Sequence, residues 1–362
     1  MFSFLAADLT TGRLRSELPL SIDSDLSRFM MDVGTGTVSL PVRDKACPRD
    51  WEDMTLPWRN LYVVIDDASG RIIWSGVPTN RSRNPAEETV SMPVVTLEAY
   101  MARRYVPTLS FMGYDQTSVI ANRLARVCND DNGIDLVLET DPSGVIRERK
   151  YYADEEGRVL ARLQELSQVI DGFEWNIDVR WADAAQTRFE KVFTTGYHTI
   201  GTQTATPEAV FGMPGSITDA QYDELWSDDD AATHVVATGD GEGESKTTSD
   251  PVVDTVRESV GWPRLELRRS FSSVTSHTTI NTHAASVAAE VFGGQQIISI
   301  TTRTDTKPSL GDWNLGDSVG VKIDTDSLQL DEVWRVVGWH LSGQDYSVKP
   351  ALARVRPAVT EG

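Results

Sequence analysis

The feature that most constrains this chain is a series of short apolar runs separated by turn-forming residues. Residues 61–65 (LYVVI) and 71–75 (RIIWS) flank the link 66–70 (DDASG), which ends in glycine. Two such runs around a short link that contains glycine predict a β-hairpin. Apolar residues occupy both faces of 60–65, so this strand is predicted to be covered on both sides.

Further strands are predicted where apolar and polar residues alternate. Residues 265–271, 319–323 and 333–339 show this pattern, which places one set of side chains in a core and the other toward solvent or a neighbour. The same alternation predicts that Trp334 and Trp339 lie on opposite faces. Many short strands punctuated by glycine and aspartate favour small barrels or sandwiches over a parallel sheet.

Three helices are predicted from apolar residues at helical spacing, namely 116–129, 158–170 and 282–292. Asp115 and Asn281 are the predicted N-caps of the first and third helices, and Gly172 and Gly293 mark predicted C-terminal stops. The alternating strand 173–181 follows the second helix. The fold class predicted for the chain is therefore α+β and mainly β.

Charge and length exclude several classes of protein. The chain has 362 residues, enough for two or three domains, and a formal charge of −20, which repels phosphate backbones and argues against tight nucleic-acid binding. We expect no signal peptide and no membrane span, and hence folding in a cytoplasm, because neither a basic leader nor a long apolar run is present. Cys47 and Cys128 fit no metal spacing and are predicted to be buried or half-buried thiols.

Half of the net charge lies in residues 219–254, which contain eleven acidic residues and Lys246 as the only base. The stretch 238–250 (TGDGEGESKTTSD) is small and polar, so the acidic segment is predicted to be an exposed loop. The aspartates at 228–230 lack the alternating ligands, glycine and distal glutamate of an EF-hand. A solvated acidic tip is predicted there rather than a cation site.

No motif points to a specific chemistry. Residues 239–246 (GDGEGESK) fail the phosphate-loop spacing, because Ser245 stands where a glycine must precede the lysine. His277 and His283 lie six residues apart without a visible third ligand. Neither a Gly-x-Ser-x-Gly elbow nor a cysteine with nucleophile-type flanks occurs. The sequence therefore predicts no catalytic, metal-binding or cofactor-binding residue and no cofactor.

Two other functions stay open on the residues alone. The chain has 54 acidic residues, and a pair of them could serve a hydrolase that cleaves cell-wall or capsular glycan. The ten tryptophans, which include Trp51, Trp58, Trp74 and Trp175, could be sugar-stacking platforms of a carbohydrate-binding adhesin. Spread along the strands, they are predicted instead to be core anchors.

Seven segments form an ordered set: 58–67 (WRNLYVVIDD), 70–77 (GRIIWSGV), 95–100 (VTLEAY), 171–175 (DGFEW), 235–243 (VVATGDGEG), 315–321 (LGDSVGV) and 334–338 (WRVVG). In this order they resemble the bacteriophage tail hub family. Its members are the tail-associated lysins or minor tail proteins of long-tailed non-contractile phages and the baseplate hubs of contractile ones. The resemblance covers nearly the whole chain and is greatest to versions from phages of actinobacteria.

The resemblance implies a homotrimer whose subunits each carry two tube-type β-barrels, so that six barrels form a ring that continues the tail tube. The implied domains are a first barrel at 1–105, a helix-containing peripheral domain at 106–172, strands with the acidic loop 219–254 at 173–256, and a helix with the second barrel at 257–362. The chain ends directly after its last strand segment, so we expect no wall-cutting domain and no enzymatic activity.

The implied role is that of a structural virion protein at the tail tip, assembled in the host cytoplasm, that closes the distal end of the tube. The implied partners are the distal tail, tail-tube and tape-measure proteins and tip or fibre proteins, and genomic DNA passes without being bound. We expect part of the acidity to face this channel, where like charge disfavours sticking of phosphates. Ring interfaces are expected at strand edges and at the second faces of 61–65 and 333–339.

Overall fold

The computed structural model describes residues 2–169, 171–227, 231–241, 243–272 and 274–354. The chain forms two compact units, one from Met1–Asp219 with Ile300–Gly362 and the other from Ala220–Ser299. Strands hold 44% of the residues and helices 15%. The predicted α+β, mainly β class is therefore confirmed, whereas the four domain boundaries given above stay a prediction.

The strands, numbered along the chain, are β1 (Phe2–Asp8), β2 (Leu14–Leu18), β3 (Ser21–Ser24), β4 (Leu26–Phe29), β5 (Thr35–Pro41), β6 (Asn60–Asp66), β7 (Ile72–Pro78), β8 (Ser82–Asn84), β9 (Thr89–Val95), β10 (Leu109–Asp115), β11 (Leu136–Glu139), β12 (Ile146–Tyr151), β13 (Glu174–Trp181), β14 (Phe189–Gly196), β15 (Val210–Met213), β16 (Ile217–Leu225), β17 (His234–Thr238), β18 (Val252–Val253), β19 (Glu266–Ser270), β20 (Gln295–Arg303), β21 (Ser318–Asp324), β22 (Gln329–Leu341) and β23 (Ser347–Arg354). The α-helices are α1 (Trp51–Met54), α2 (Glu98–Met101), α3 (Asn122–Arg126), α4 (Val159–Ser167), α5 (Thr255–Ser259) and α6 (His277–Val291).

Eight strands of the first unit form one curled sheet in the order β2-β1-β6-β7-β9-β5-β3, with β8 beside β9. The predicted hairpin is confirmed as β6 and β7, which pair antiparallel with Val64 opposite Trp74. Gly70 ends its turn at a φ of +71°, and its N–H donates to the carbonyl oxygen of Asp66 over 2.7 Å. A positive φ at this position is the conformation that glycine adopts without steric cost.

Strand β6 is covered on both faces, as its sequence predicts. Leu61 and Val63 share the core of the helical layer that contains α3 and α4. Tyr62 lies on the other face, where its buried hydroxyl donates to the carbonyl oxygen of Met54 over 2.9 Å. The chain's own residues therefore bury the second face of 61–65, and the expectation that this face forms a ring interface is wrong.

The helical layer departs from the predicted helices in one respect. Residues 116–129 do not form one α-helix, because a π-helical turn at Gln116–Ala121 precedes α3. The predicted cap is confirmed, since a carboxylate oxygen of Asp115 accepts the N–H of Thr117 at 3.0 Å and of Ser118 at 2.9 Å. The predicted apolar stripe of the second helix is buried at Val159, Leu163 and Leu166 of α4, and its last member, Ile170, lies outside the described residues.

A second sheet, most of whose strands belong to the first unit, contains a strand from near the N-terminus. Its order is β15-β21-β22-β23-β20-β16, and β22 also pairs with β4. Residues 329–335 of β22 pair with β21, and residues 338–341 pair antiparallel with β4 on the same side. Strands β3 and β5, which flank β4 in the chain, belong to the first sheet. One short strand therefore joins the two sheets of the first unit.

Trp334 and Trp339 lie on the same face of β22, so the prediction of opposite faces is wrong. A β-bulge between Val336 and Gly338 adds one residue to β22 relative to β23, and this shifts the alternation of side chains. The residues of β23 opposite the two tryptophans are four positions apart, which places them on one face. Both indoles are buried in the core.

The second unit is built on the three-stranded sheet β18-β17-β19. Val235 and Ala237 of β17 are fully buried, and Ala237 packs against Ile280 and Ala284 of α6. The acidic segment 219–254 is therefore not one exposed loop, contrary to the prediction, because its middle contributes a core strand. Among the described residues of this segment, the polar residues between β17 and β18 keep the character of a loop.

Helix α6 begins earlier than predicted. Its N-cap is Ser276, whose hydroxyl accepts the N–H of Thr279 at 3.4 Å. Asn281, the predicted cap, lies inside the helix, where its side-chain oxygen accepts the N–H of Asp250 at 2.9 Å. The predicted end is confirmed, since Gly293 and Gly294 both have positive φ.

A buried ion pair joins the second sheet to β13. Arg335 of β22 and Glu174 of β13 are 13% and 15% exposed at their side chains, and one of their two hydrogen bonds spans 2.6 Å. The same guanidinium donates to the carbonyl oxygens of Gly316 and Ile200, each at 3.0 Å. These charge-assisted hydrogen bonds offset the free-energy cost of removing the Arg335 guanidinium from water.

Two glycines make the close packing around Arg335 sterically feasible. Gly201 and Gly316 have φ values of +76° and +89°, and their backbones lie against each other. A Cβ at Gly316 would overlap the carbonyl oxygen of Ile200, whereas a Cβ at Gly70, also at positive φ, would meet nothing within 4 Å. Substitution of Gly70 therefore serves as a control, because it tests the effect of the positive φ without any steric overlap.

We predict that Gly316→Ala destabilises the protein more than Gly70→Ala. Gly70→Ala should cost ~1–2 kcal/mol in the free energy of unfolding, because only the left-handed conformation is penalised. Gly316→Ala should cost at least ~3 kcal/mol, because steric strain is added to that penalty. Urea denaturation of the two variants measures the difference, and equal losses would contradict the close contact.

A buried carboxyl group lies on α2 beneath β4. Glu98 is 2% exposed, and burial raises the pKa of its carboxyl from 4.5 to about 7, against the opposing effects of a hydrogen bond to Thr96 and the positive charge of Arg28. A folded-state pKa above the unfolded one means that the folded protein binds the proton more tightly. The contribution of Glu98 to stability is therefore greatest at low pH and falls as the pH rises from 4.5 through 7.

We predict that Glu98→Gln removes a pH dependence of stability. Between pH 5.5 and pH 8, above the sequence isoelectric point of 4.6, the wild-type free energy of unfolding should fall by about 2 kcal/mol relative to that of the variant. Chemical denaturation at several pH values measures this difference. Glu87→Gln, at an exposed turn, is the matched control and should track the wild type; parallel curves for Glu98→Gln would refute the assignment.

Candidate functional site

The residues weighed above for chemistry do not assemble into a site. Among the described residues, no three His, Cys, Asp or Glu side chains are grouped to hold a metal ion. Cys47 is half-buried and Cys128 buried, and both are free thiols. His283 stacks on Phe271 with ring centroids 4.3 Å apart, and His277 lies 3.9 Å from a carboxylate oxygen of Asp250.

The acidic and glycine-rich motifs can be placed only in part. Residues 228–230 and Glu242 lie outside the described part of the chain. Gly239 follows β17, and its N–H donates to the carbonyl oxygen of Thr247 over 2.7 Å. The glycines of the 239–246 motif therefore belong to a turn between strands.

The tryptophans named above divide into two groups. Trp74 and Trp175 are buried core residues, as predicted, and the indole N–H of Trp74 donates to the carbonyl oxygen of Ser27 over 2.9 Å. Trp51 and Trp58 are half-buried and lie under the guanidinium groups of Arg83 and Arg103.

One face of the first sheet is lined by small hydroxylated side chains, and we call it the hydroxyl face. It spans β3, β5, β9 and β8, and consists of Ser21, Ser24, Thr35, Thr37, Ser39, Pro41, Ser82, Asn84, Thr89, Ser91 and Pro93. Cross-strand register places four serines in one row, because Ser21 is opposite Ser39, Ser39 is opposite Ser91, and Ser91 is opposite Ser82. Side chains directly opposite each other in an antiparallel pair share a face.

Alternation within the strands creates this face. In β5 and β9 every second residue is apolar, and Val38, Leu40, Val90, Met92 and Val94 are buried. The intervening positions from 35 to 41 and from 89 to 93 hold serine, threonine and proline, which therefore point away from that core. Val95, at the last intervening position of β9, is half-buried. The aliphatic residues stabilise the sheet, and the hydroxyl face follows from the same two-residue period.

The hydroxyl face has very little charge. The hydroxyl of Ser39 donates to a carboxylate oxygen of Asp23 over 2.7 Å and lies 2.8 Å from the hydroxyl of Ser21. Asp23 is the only ionisable group bonded to the serine row in the described chain, and within these four strands the face holds no lysine or arginine. Arg83 of β8 pairs with Val90 and forms a salt bridge with Glu52 instead.

A polar cavity of about 360 Å³ opens beside the Arg335–Glu174 pair. Its lining comes from β4, β13, β14 and the turns that contain Gly201 and Asp317. Arg28 of β4 pairs with Asp178 of β13 and also donates to the carbonyl oxygen of Ile177 over 3.1 Å. Asn176 is 4% exposed, and its side-chain oxygen has no hydrogen-bond partner among the described residues.

No sequence motif marks the hydroxyl face or the polar cavity. The hydroxyl face has a local signal, since 35–41 (TGTVSLP) and 89–95 (TVSMPVV) alternate small polar and aliphatic residues. The row across four strands depends on register, which these segments do not specify alone. The cavity has no local signal, because Arg28 and Asp178 are 150 positions apart.

In the part of the chain that the structure describes, no helix is both long enough and apolar enough to cross a membrane. No protein-family model matches the chain, and no curated protein matches it in sequence.

Three solved structures of tail proteins are similar to this chain. The 43 kDa tail protein of prophage MuSo2 from Shewanella oneidensis matches with a TM-score of 0.57 and 14% identity, over 97% of this chain and 98% of that one. A tail protein from Neisseria meningitidis MC58 matches with a TM-score of 0.55 and 14% identity, over 96% of each chain. Prophage tail protein gp18 from Listeria monocytogenes EGD-e matches with a TM-score of 0.53 and 12% identity, over 99% of this chain and 96% of that one. At these identities the likeness concerns the fold, and this chain has the mainly β fold of phage tail proteins.

Proposed function

We propose that this chain is a structural, non-enzymatic subunit of a phage tail, and that it forms the hub at the distal end of the tail tube. Three copies form a ring in which each subunit contributes two tube-type barrels, within residues 1–105 and 257–362. The hydroxyl face lines part of the path that DNA takes during ejection. This face is the observation that carries the proposal, together with the fold shared with prophage tail proteins.

The chemistry of the hydroxyl face suits a wall past which DNA slides. Proteins hold DNA mainly through lysine and arginine at the phosphates, with release of counterions. A row of serines bonded to one another and to Asp23 offers no cation to a phosphate. Its side chains are also short, so they present a smooth surface to a passing duplex.

This proposal changes the part that acidity plays in the channel. The sequence alone suggested that carboxylates face the passage, whereas the hydroxyl face has one carboxylate bonded to its serine row. We infer that low friction arises chiefly from uncharged hydroxyls, and that the chain's net charge of −20 adds a general repulsion of phosphates within roughly one Debye length, about 8 Å.

The partners follow from the same proposal. The outermost strands of the first sheet, β2 and β3, each have one neighbour within it and offer backbone groups to an adjacent subunit. The distal tail protein, tail-tube and tape-measure proteins and tip or fibre proteins are the neighbours expected in the virion. Assembly takes place in the host cytoplasm.

We predict that lysines on the hydroxyl face slow DNA ejection. Phage particles that carry Ser39→Lys with Ser91→Lys should assemble and package DNA, but eject it more slowly than the wild type, because each lysine adds a contact to phosphate. The delay should shrink as salt is raised, since such contacts weaken with ionic strength. Time-resolved release of labelled DNA from purified particles measures the rate.

The matched control for ejection is Glu148→Lys, which adds a lysine at an exposed position of β12, outside the hydroxyl face. It should eject at the wild-type rate. If the control slows ejection as much as the double variant does, or if the double variant ejects normally at every salt concentration, the hydroxyl face does not line the path of DNA.

We also predict that three copies of the chain surround the tail axis. Electron cryomicroscopy of intact particles should show threefold density at the distal end of the tube, with the hydroxyl face turned toward the bore. A copy number other than three, or a hydroxyl face turned outward, would contradict the proposed ring.

A further inference from the structure

We infer that the cavity between β4, β13 and the turn at Asn314 is a binding site for a single sugar unit of neutral, polyhydroxylated character. Its volume of about 360 Å³ lies in the range of small-ligand sites, which starts near ~300 Å³. The site belongs wholly to the first unit and does not depend on the role proposed for the hydroxyl face.

The cavity holds polar groups whose hydrogen-bonding capacity the protein does not use. The side-chain oxygen of Asn176 is buried without a partner. In the described chain, the hydroxyls of Thr194 and Thr202 and the side-chain oxygen of Asn314 also make no hydrogen bond, although all three residues line the cavity. Thr194 is half-buried and Thr202 and Asn314 are exposed, so these three groups are open to a ligand, which would replace water as their hydrogen-bond partner.

Arg28 adds donors to these acceptors. Its hydrogen bonds to described residues use one terminal nitrogen, Nη2, which reaches Asp178 and the carbonyl oxygen of Ile177. A guanidinium has five N–H donors in a planar fork, so its other nitrogens remain available. The lining therefore contains both donors and acceptors, which suits hydroxyl groups, since each hydroxyl both donates and accepts.

Charge in the lining excludes other classes of small ligand. Asp178 and Asp317 would repel an anion such as phosphate, while Arg28 opposes a metal cation. Both oxygens of Asp317 are already occupied, by the N–H groups of Thr202 at 2.7 Å and Asn314 at 2.8 Å. The polar lining also disfavours an apolar ligand. A neutral polyol is the class that remains.

The wall of the cavity is held rigid by the packing around Arg335. Gly201 lines the cavity and lies against Gly316, and Glu174 accepts the N–H of Ile200 at 2.9 Å. A preformed wall spares a ligand the entropy cost of ordering the site. Leu315 and Ile200 supply the apolar part of the lining, against which the carbon-bound faces of a sugar ring can pack.

Binding is tested on the purified full chain with glucose, galactose, rhamnose and N-acetylglucosamine as probes. Saturation-transfer difference NMR and calorimetry should find at least one that binds with a Kd of roughly 0.1–10 mM. Thr194→Val keeps the shape of the side chain but removes its hydroxyl, and should weaken that binding by about three- to tenfold, the effect of one neutral hydrogen bond. Asn314→Ala, at an exposed turn, should weaken it to a similar extent.

Thr37→Val is the matched control, because it makes the same change on the hydroxyl face, and it should leave affinity unchanged. Thermal melting of each variant checks that the fold is intact, and Asn314→Ala serves if Thr194→Val does not fold. The inference is overturned if no probe binds by about 50 mM, if both cavity variants bind like the wild type, or if Thr37→Val weakens binding equally. Tighter binding of inorganic phosphate than of any sugar would also overturn it.

Discussion

The pairing of β4 with β22 is the interaction on which the rest of the first unit depends. Four residues near the N-terminus hydrogen-bond to a strand more than 300 positions later, while the strands on either side of them in the chain belong to the other sheet. Trp74 of the first sheet donates to the backbone of β4 at Ser27, and Arg28 of β4 reaches Asp178 of β13. Both sheets and β13 are thereby fixed to one four-residue segment.

This arrangement of strands produces two surface features, the hydroxyl face and the polar cavity. The two-residue period of β5 and β9 separates an aliphatic core from an uncharged hydroxylated surface, and the neutrality of that surface distinguishes it within a strongly acidic chain. The second kind arises where elements converge. Around Arg335, Glu174, Gly201 and Gly316, a largely buried ion pair and close backbones form one wall, and beside it lies a cavity in which some hydroxyl and amide groups make no hydrogen bond to the described chain. Neither feature resembles a catalytic centre.

Local features were predictable from the sequence, and features that depend on distant pairing were not. The hairpin of β6 and β7, the cap at Asp115 and the buried stripe of α4 each need only a few neighbouring residues. The bulge that places Trp334 and Trp339 on one face depends on the register between β22 and β23. Likewise, the core strand within the acidic segment 219–254 pairs with β19, outside that segment, as well as with β18 inside it, so composition alone suggested a loop. The cavity residues come together only in the folded chain.

The insertion of β4 has a consequence for biosynthesis. During translation, the first sheet emerges from the ribosome long before residues 338–341 exist, so one edge of β4 lacks its partner until those residues have been made. Contacts between residues so far apart in sequence slow folding, because a large loop must close before they form. The first unit therefore reaches its final form only after residues 338–341 have been synthesised.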